Sequence, residues 1–431
     1  MLNNQWAANV ITTAAIQQTV GDLLGLAEQF LIQCMTFPST SGNELDLMQF
    51  LDGAFAKLGC EVEAVPMSNA LRLDPDYSSP IPDLDYDGRF NLRVGRRGAG
   101  GGKTLLLNAH TDVVPPSEGM PDPWLPRVAD GIVFGRGACD DKGPLASLYL
   151  ALAALGALDL VLRGDVVAHL VCEEENGGNG SLAMVRHGAE ADGCIVLEPT
   201  DGRVCTSIRG AVWFRLELRG TAGHSGQAGR TRSALLMARD AIAALEAYHA
   251  QLLAVSRGLA LFDAYPNPMP ITFGRLEAGR WPATAPDRAV LEGVLGLLPN
   301  KTKESVCAEM PQALAAPRSG LGPDDFQLRF TYRHDSSVLE PSHFLPQALL
   351  KAGQRMATPL SIDAMTASCD AWFYNNQLGI PTIVYGPGTL AVAHSSNEQI
   401  ALADMARAAE VLVALMLDFC GQPPDRHGAP P

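Results

Sequence analysis

The sequence predicts an α/β protein in which one α/β domain is interrupted by a smaller, inserted α+β domain. Up to about residue 206, short apolar runs alternate with helical segments, which is the order of a layered α/β unit. From there to about residue 338, apolar and charged residues alternate as on a sheet with one solvated face. The helix–strand–helix order then returns. We therefore divide the chain into a first α/β part (1–206), an insertion (207–338) and a second α/β part (339–431).

The first part begins with a helix signal and continues as strands and helices in turn. Ser41-Gly42-Asn43-Glu44 has the form of a capping box and precedes apolar residues at helical spacing. Buried strands are predicted at 104–109, 166–172 and 193–197, and helices at 144–155 and 181–187. Functional groups of such units gather beyond the carboxyl ends of the strands.

The insertion has the pattern of an antiparallel sheet with one face covered. Phe214, Leu216 and Leu218 are interleaved with charged residues, and the same alternation recurs over 326–333. A further strand is predicted at 288–298, and helices are predicted at 233–248 and 304–314. This order suits a small α+β domain inserted into the first one.

Composition narrows the range of partners. A formal net charge of −15 argues against a nucleic-acid partner, because phosphate binding needs Lys and Arg. The nine cysteines include no CxxC pair, which points to a reducing compartment. No basic and apolar leader is evident, and no apolar stretch reaches the roughly 18 residues of a membrane span. We expect a cytoplasmic protein that acts on a small molecule and not at a membrane.

The strongest local feature is Asn108-Ala109-His110-Thr111-Asp112, directly after an apolar strand. Positions i and i+2 of an extended segment face the same way, so the Asp112 carboxylate could orient an imidazole of His110 that binds metal. The alternative is a strand end with two unrelated polar residues.

Two further segments carry acids beside glycines. Asp140 lies in residues 135–143, where glycines allow a tight backbone near a site, although an ordinary glycine-rich turn is the alternative. Glu173-Glu174-Glu175 follows an apolar strand, and three adjacent acids repel one another unless cations or donors are near. A solvated charge run would explain them equally simply.

Glu198 and His394 complete the set of candidates. Each follows a predicted strand, and a lone Glu or His in such a place is more often structural. All the candidates nevertheless fall just beyond strands, where an α/β sheet gathers a site. Imidazoles with carboxylates and no thiolate suit zinc, cobalt or manganese, and an unbound Glu beside two ions could move the proton of a bridging water.

Taken in order, these segments resemble the family of acetylornithine deacetylase, succinyl-diaminopimelate desuccinylase, carboxypeptidase G and the cytosolic dipeptidases. The resemblance runs from about Pro38 to Ile400. It rests on segments 108–115, 135–143 and 172–181, on Glu198-Pro199, on 220–224 and on 386–395.

The resemblance implies an α/β/α catalytic domain with a mixed sheet and an inserted ferredoxin-like lid, which often dimerises. It also implies metal-dependent hydrolysis of a C–N bond with one or two divalent ions per subunit, zinc before cobalt or manganese. The peptide after the bridging Asp, Asp140–Asp141 here, is typically cis in the family. The implied roles are as follows: Asp140 bridges the ions, His110 and Glu198 hold one, Glu175 and His394 hold the other, Glu174 is the general acid/base, Asp112 is the partner of His110, and His224 reaches the neighbouring subunit's substrate.

This chain departs from the family at positions that contact substrate. Gly296 stands where many relatives have an Arg that binds a substrate carboxylate, and Trp372 follows Asp370-Ala371 where relatives commonly have Arg. Fewer guanidinium groups and more aromatic ones favour a flatter or more apolar substrate, bound by Trp372 and Tyr374, unless these aromatics simply pack in the core. Three hypotheses remain: a deacylase or amidohydrolase of N-acyl amino acids or small amides, an aminohydrolase that releases ammonia from a non-peptide carbon such as that of an aromatic amine or an amidine-like group, and a non-catalytic binding protein.

Overall fold

The computed structural model of the chain describes residues 11–227 and 229–424. Its helices are α1 (Thr13–Met35), α2 (Leu45–Lys57), α3 (Lys142–Ala157), α4 (Asn179–His187), α5 (Ala234–Val255), α6 (Lys303–Leu314), α7 (Phe344–Arg355) and α8 (Leu402–Phe419). Its strands are β1 (Glu61–Pro66), β2 (Phe90–Arg96), β3 (Leu105–His110), β4 (Arg127–Ala129), β5 (Ile132–Phe134), β6 (Val166–Val171), β7 (Gly193–Val196), β8 (Val204–Ile208), β9 (Gly210–Arg219), β10 (Gly223–His224), β11 (Ile271–Ala278), β12 (Thr284–Ala285), β13 (Arg288–Leu297), β14 (Phe326–His334), β15 (Ser337–Val338), β16 (Ile362–Met365), β17 (Thr382–Val384) and β18 (Gln399–Ala401).

A mixed sheet forms the middle layer of the larger domain. Its order is β1-β2-β6-β3-β7-β17-β8-β15, with β16 also paired to β8, and β6, β3, β7 and β17 run parallel. Both faces are covered: Leu105 and Leu107 of β3 pack into the core of α1, α3 and α8, while Leu106 packs into the core of α4 on the other face. Strands buried on both faces have continuous apolar sequences, which is the pattern that predicted them. The predicted α/β/α domain is confirmed.

The smaller domain has the predicted one-faced sheet. The antiparallel order β11-β13-β9-β14 and the chain order β9-α5-β11-β13-α6-β14 make it ferredoxin-like. Phe214, Leu216 and Leu218 are buried beneath α5 and α6. The opposite face carries ion pairs such as Arg215–Glu292. We refer to this domain as the lid.

Two adjacent chain segments join the lid to the larger domain. β8 passes through Arg209 into β9, and β14 leads into β15, which pairs back onto β8 at Ser337↔Ile208. A second set of contacts joins the domains farther out, where Lys303 pairs with Asp76 and the guanidinium of Arg333 donates to the Tyr77 carbonyl. In the ranges that the structure describes, no helix is both long and apolar enough to cross a lipid bilayer.

Candidate metal centre

Six side chains meet where the parallel strands of the larger domain end. The strands supply rigid ends, and the loops that follow them converge because parallel strands finish at the same edge of a sheet. The six are His110 at the end of β3, Asp140 just before α3, Glu174 and Glu175 after β6, Glu198 after β7, and His394 after β17. The structure therefore brings together all five predicted ligands and the predicted general acid/base.

Asp140 lies between the two imidazoles. Its Oδ1 is 2.9 Å from Nε2 of His110, and its Oδ2 is 3.2 Å from Nε2 of His394. Glu175 Oε1 lies 2.9 Å from the same nitrogen of His394. The pKa of Asp140 is held well below its usual value despite burial, because both imidazoles face it. One carboxylate with an oxygen toward each of two nitrogen ligands is the arrangement that a bridging ligand needs.

The neighbouring carboxylates raise the pKa values of both imidazoles. Burial alone would lower the pKa of each imidazole. The pKa of His394 is instead raised to about 11 by Asp140 and Glu175, and that of His110 is raised well above its usual value by Asp112 and Asp140. The raised pKa values favour protons on imidazole nitrogens that could otherwise bind a metal ion.

Glu174 and Glu198 are buried without a partner. They are 9% and 4% exposed, and no hydrogen-bond donor in the described chain reaches either carboxylate. Burial first, and then neighbouring acids, raises the pKa of both well above the usual value. One ligand atom from each lies with one from His110 in a group whose atoms are all within 4.8 Å of one another. A buried carboxylate without a donor is costly unless it is protonated or faces a cation.

Asp112 connects the two halves of the cluster. Its Oδ1 accepts a hydrogen bond from the Glu174 amide (3.0 Å) and its Oδ2 accepts one from the Glu175 amide (3.2 Å). Its carboxylate lies 3.5 Å from Nδ1 of His110, whose closer partner is the Asp112 carbonyl at 2.9 Å. Ser41 Oγ donates to Oδ2 at 2.8 Å. Asp112 thus positions an imidazole and two carboxylates at once.

The use of Ser41 corrects one sequence prediction. Residues 41–44 do not form a capping box: Glu44 itself occupies the N-cap position of α2 and makes no side-chain cap bond. The Ser41 hydroxyl is instead engaged by Asp112, and the Glu44 carboxylate accepts from the Gly42 amide and from Arg89. The side chains of Ser41 and Glu44 thus bind residues far away in the sequence instead of capping α2.

A buried ion-pair network anchors the loop that carries Glu174. Arg89 pairs with both Glu173 and Glu44, and both acids are fully buried. Glu173 also accepts from the Tyr86 hydroxyl (2.8 Å) and from Asn179 (3.0 Å). Its backbone has φ of +61°, which few residues other than glycine adopt. These bonds hold Glu173 inward, so that the next two residues point into the cluster.

A second buried acid anchors Asp140. Glu398 Oε1 accepts from the amides of Cys139 and Asp140, each at 3.1 Å, while Glu398 Oε2 pairs with buried Arg136. We predicted neither anchor. The available signal for this one was Arg136 within the glycine-rich segment, because a buried arginine requires an acid elsewhere in the chain. The Asp140–Asp141 peptide is cis, as the resemblance implies.

The residues present fit divalent metal ions. Two imidazoles and four carboxylates, without a thiolate, are the donors that zinc, cobalt or manganese accept. Among the described residues no donor reaches the carboxylates of Glu174 and Glu198, and neighbouring carboxylates raise the pKa values of both imidazoles. The chemistry of the donor set therefore matches the implied ions.

Two predicted substrate residues lie elsewhere. Tyr374 is fully buried, and its hydroxyl accepts from Asn108 (3.0 Å) and lies 3.0 Å from Nδ1 of His169. Trp372 is 5% exposed and stacks on buried His334 at 4.8 Å between ring centroids. We therefore replace the prediction that they bind substrate with a packing role, since neither presents a free polar or aromatic surface.

His224 and Gly296 both belong to the lid. His224 is exposed on β10, where its Nδ1 accepts from the Gly226 amide (3.0 Å), and within the described residues it is not part of the cluster. Gly296 lies near the end of β13, where an added Cβ would stand 2.9 Å from Nη1 of Arg209. The guanidinium of Arg209, which lies in the link between β8 and β9, thus stands next to the position without a side chain.

An α/β/α domain with a ferredoxin-like insertion, and this donor set at its strand ends, defines the class of metal-dependent hydrolases. Residues 106–418 match the model of peptidase family M20/M25/M40, and the chain belongs to that family. The resemblance found from the sequence is thereby confirmed.

Named relatives cover most of the chain. It is 26% identical to the N-formyl-4-amino-5-aminomethyl-2-methylpyrimidine deformylase of Halalkalibacterium halodurans, over 94% of this chain and 96% of that one. It is 28% identical to the acetylornithine deacetylase of Myxococcus xanthus, over 77% and 85%. The solved structure of the dipeptidase Dug1p from Saccharomyces cerevisiae shares the fold, with a TM-score of 0.79 at 15% identity over 95% of this chain and 99% of that one.

Proposed function

We propose that the protein hydrolyses the C–N bond of an N-acyl amino acid or another small amide, with Glu174 as general acid/base. The observation that carries this proposal is the position of Glu174. Its carboxylate is buried, has no donor among the described residues and lies in the same group of ligand atoms as His110 and Glu198. A carboxylate so placed is available to take a proton from a water held at the cluster.

In the proposed hydrolysis, the metal ions, Glu174 and Asp112 have separate roles. Divalent ions would supply a polarised water and a positive charge toward the substrate carbonyl. Glu174 takes the proton from that water and later gives it to the leaving nitrogen, and burial favours its protonated form between the two steps. Asp112 holds the Glu174 backbone and the His110 ring in fixed positions during both steps.

For the ions we propose one or two per subunit, zinc before cobalt or manganese. Asp140 is the proposed bridge, with His110 and Glu198 on one side and Glu175 and His394 on the other. The two short approaches of Asp140 to the imidazoles support this division. One atom each of His110, Asp140 and Glu175 also lie within 4.8 Å of one another, so the two halves share one compact volume.

An amide is favoured over an aromatic amine as the substrate. The aminohydrolase hypothesis depended on Trp372 and Tyr374, and both side chains are buried against other protein groups. The named relatives of this family include a deformylase and a deacetylase, which supports an N-acyl substrate. We also propose a homodimer or larger homo-oligomer, in which exposed His224 reaches the substrate of the adjoining subunit and polarises its carbonyl.

The test uses the purified protein loaded separately with zinc, cobalt and manganese. The substrates are N-formyl and N-acetyl amino acids, and the readouts are amine release and ammonia release. Glu174→Gln should lower kcat by about 100-fold or more while its metal content, measured by emission spectroscopy, stays that of the unaltered protein. Glu190→Gln, an exposed acid beyond α4, is the matched control and should change nothing.

Three results would contradict the proposal. Retained turnover in Glu174→Gln would remove Glu174 from its role. Ammonia release from aromatic amines without any amide cleavage would return the aminohydrolase hypothesis to first place. A protein that binds metal and turns over no amide or amine would favour a binding function.

A further inference from the structure

His334 is the last residue of β14 and lies where the lid meets the larger domain. The residue is 1% exposed. Its Nε2 lies 3.2 Å from the carbonyl oxygen of Gly177, in the loop that follows Glu174 and Glu175. A carbonyl oxygen can only accept a hydrogen bond, so Nε2 carries the hydrogen and donates it. The lid thus makes a direct hydrogen bond to the loop of the proposed general acid/base.

The other ring nitrogen of His334 has no partner. Nδ1 is buried, and no hydrogen-bond donor within residues 11–227 and 229–424 reaches it. Burial, with Lys303 and Arg333 nearby, lowers the pKa of the ring to about 3, so the imidazole is neutral near pH 7. A buried acceptor without a donor destabilises the folded state. This nitrogen therefore contributes nothing to stability that would explain a histidine here.

Aromatic rings surround the His334 side chain. It stacks on Trp372 and meets Phe373 edge to face, each with ring centroids 4.8 Å apart. Tyr332 lies at 4.1 Å between centroids. A phenylalanine would pack against these rings as well and would leave no nitrogen unpaired. Packing alone therefore does not account for an imidazole at this position, whereas the hydrogen bond to Gly177 does.

The Gly177 carbonyl belongs to a tight turn that begins at Glu174. The Glu174 carbonyl accepts from the amides of Gly177 and Gly178, at 3.1 and 3.2 Å. The backbone φ is +138° at Gly177 and +70° at Gly178, values that glycine adopts readily. A Cβ on Gly177 would stand 2.1 Å from the carbonyl oxygen of Ser78, so the turn packs closely on the neighbouring segment. A shift of the Gly177 peptide would therefore move the backbone that carries Glu174.

A second lid contact reaches the same loop through Ser78. The Arg333 amide donates to Ser78 Oγ at 3.2 Å. The Ser78 carbonyl accepts from Asn179 Nδ2 at 2.7 Å, and the same nitrogen donates to Glu173 Oε2 at 3.0 Å. Two consecutive lid residues therefore connect to this loop, one directly and one through Ser78.

We propose that His334 is a positioning residue: through its Nε2–H bond to Gly177, the lid sets the position of the Glu174 carboxylate. Loss of the donor would leave the Gly177 carbonyl buried and unpaired, and the peptide would turn toward another donor. Glu174 lies on the same turn, so its carboxylate would move relative to the water that it deprotonates. A misplacement of about 1 Å can lower turnover by roughly 100-fold. This inference deepens the proposed function and rests on it for the role of Glu174.

Two substitutions separate the donor from the ring. His334→Phe keeps an aromatic ring without the donor, whereas His334→Gln places an amide nitrogen near Nε2 without the ring. His334→Phe should lower kcat for N-acetyl amino acids by about 10- to 100-fold and leave KM within about twofold. His334→Gln should keep kcat within about threefold of the unaltered protein. Asn376→Ala is the matched control, because it removes a bond to the Ser336 carbonyl at the domain junction without touching the turn, and it should change neither constant.

Hydrogen exchange gives a second readout that needs no turnover. The amides of residues 174–178 should exchange about tenfold faster in His334→Phe than in the unaltered protein or in His334→Gln, while exchange in α5 of the lid stays unchanged. Faster exchange throughout both domains, or equal losses of kcat in the Phe and Gln variants, would reduce His334 to a packing residue and overturn the inference. Unchanged exchange of residues 174–178 in His334→Phe would overturn it too. If the unaltered protein hydrolyses no amide, the proposed function fails, and the exchange of residues 174–178 alone decides whether His334 positions this loop.

Discussion

The buried network of Arg89, Glu173 and Glu44 allows a quantitative prediction about stability. Arg89 is 8% exposed and both acids are 0% exposed, so Arg89→Met removes the buried cation that Glu173 and Glu44 share. Breaking a buried pair by removing one partner costs about 3–5 kcal/mol. The pKa of Glu44 is already raised to about 8 by burial and by Asp112, against the opposing effect of Arg89. Loss of Arg89 removes that opposing effect, so the pKa of Glu44 should rise further.

The measurement is urea unfolding at pH 7, followed by fluorescence and circular dichroism. A loss of about 3–5 kcal/mol is a large part of the roughly 5–15 kcal/mol that stabilises a typical domain. Arg97→Met is the matched control, since the Arg97–Glu61 pair is 75% and 60% exposed and such pairs contribute about 0–1 kcal/mol. Adding Glu173→Gln to Arg89→Met should restore part of the loss. Equal midpoints for Arg89→Met and Arg97→Met would refute the reasoning.

Three more predictions follow from particular contacts. Asp112→Asn should lower metal affinity or kcat by about 10- to 100-fold, because the side chain of asparagine has one accepting oxygen and cannot accept from the Glu174 and Glu175 backbone amides and still face His110. Zinc titration measures the affinity and steady-state kinetics measure kcat; unchanged values of both would contradict the prediction. Tyr374→Phe should lose about 1 kcal/mol of stability while kcat/KM stays constant, since the hydroxyl serves only buried partners; a changed KM would restore Tyr374 as a substrate residue. His169 is buried and neutral, with its pKa lowered to about 3 by burial and by Arg93. Its contribution to stability is therefore complete above its ordinary pKa of 6.5 and declines by up to about 1.4 kcal/mol per pH unit as the pH falls toward 3. Urea midpoints measured from pH 7 to 4 should fall more steeply for the unaltered protein than for His169→Gln, and parallel slopes would exclude this account.

Periodicity predicted the architecture well because each element buries a face that its sequence repeats. The strands predicted at 166–172 and 193–197 end within one residue of β6 and β7, and Phe214, Leu216 and Leu218 face the lid core as expected. The candidate ligands were predictable for a related reason. His110, Glu174, Glu175 and Glu198 follow closely on apolar runs, and an α/β sheet brings the ends of those runs together.

The contacts that the sequence did not predict all join residues far apart in the chain. Ser41 has the local sequence of a helix cap, but a carboxylate 71 positions later in the chain takes its hydroxyl. Glu398 reaches Arg136 across 262 positions, and Trp372 and Tyr374 pack against residues brought together only by the fold.

The two connections between the domains have a mechanical consequence. β8 runs into β9 and β14 runs into β15 side by side, since Ser337 pairs with Ile208 and His334 pairs with Ala211. Because the lid is attached at two neighbouring points, it can rotate about the line that joins them without stretching either link. The contacts far from that line, such as Lys303 with Asp76, are the ones that such a swing would open. Arg209 lies in one of these two links and donates to the Thr366 carbonyl of the larger domain, so its guanidinium should keep its place while the rest of the lid turns.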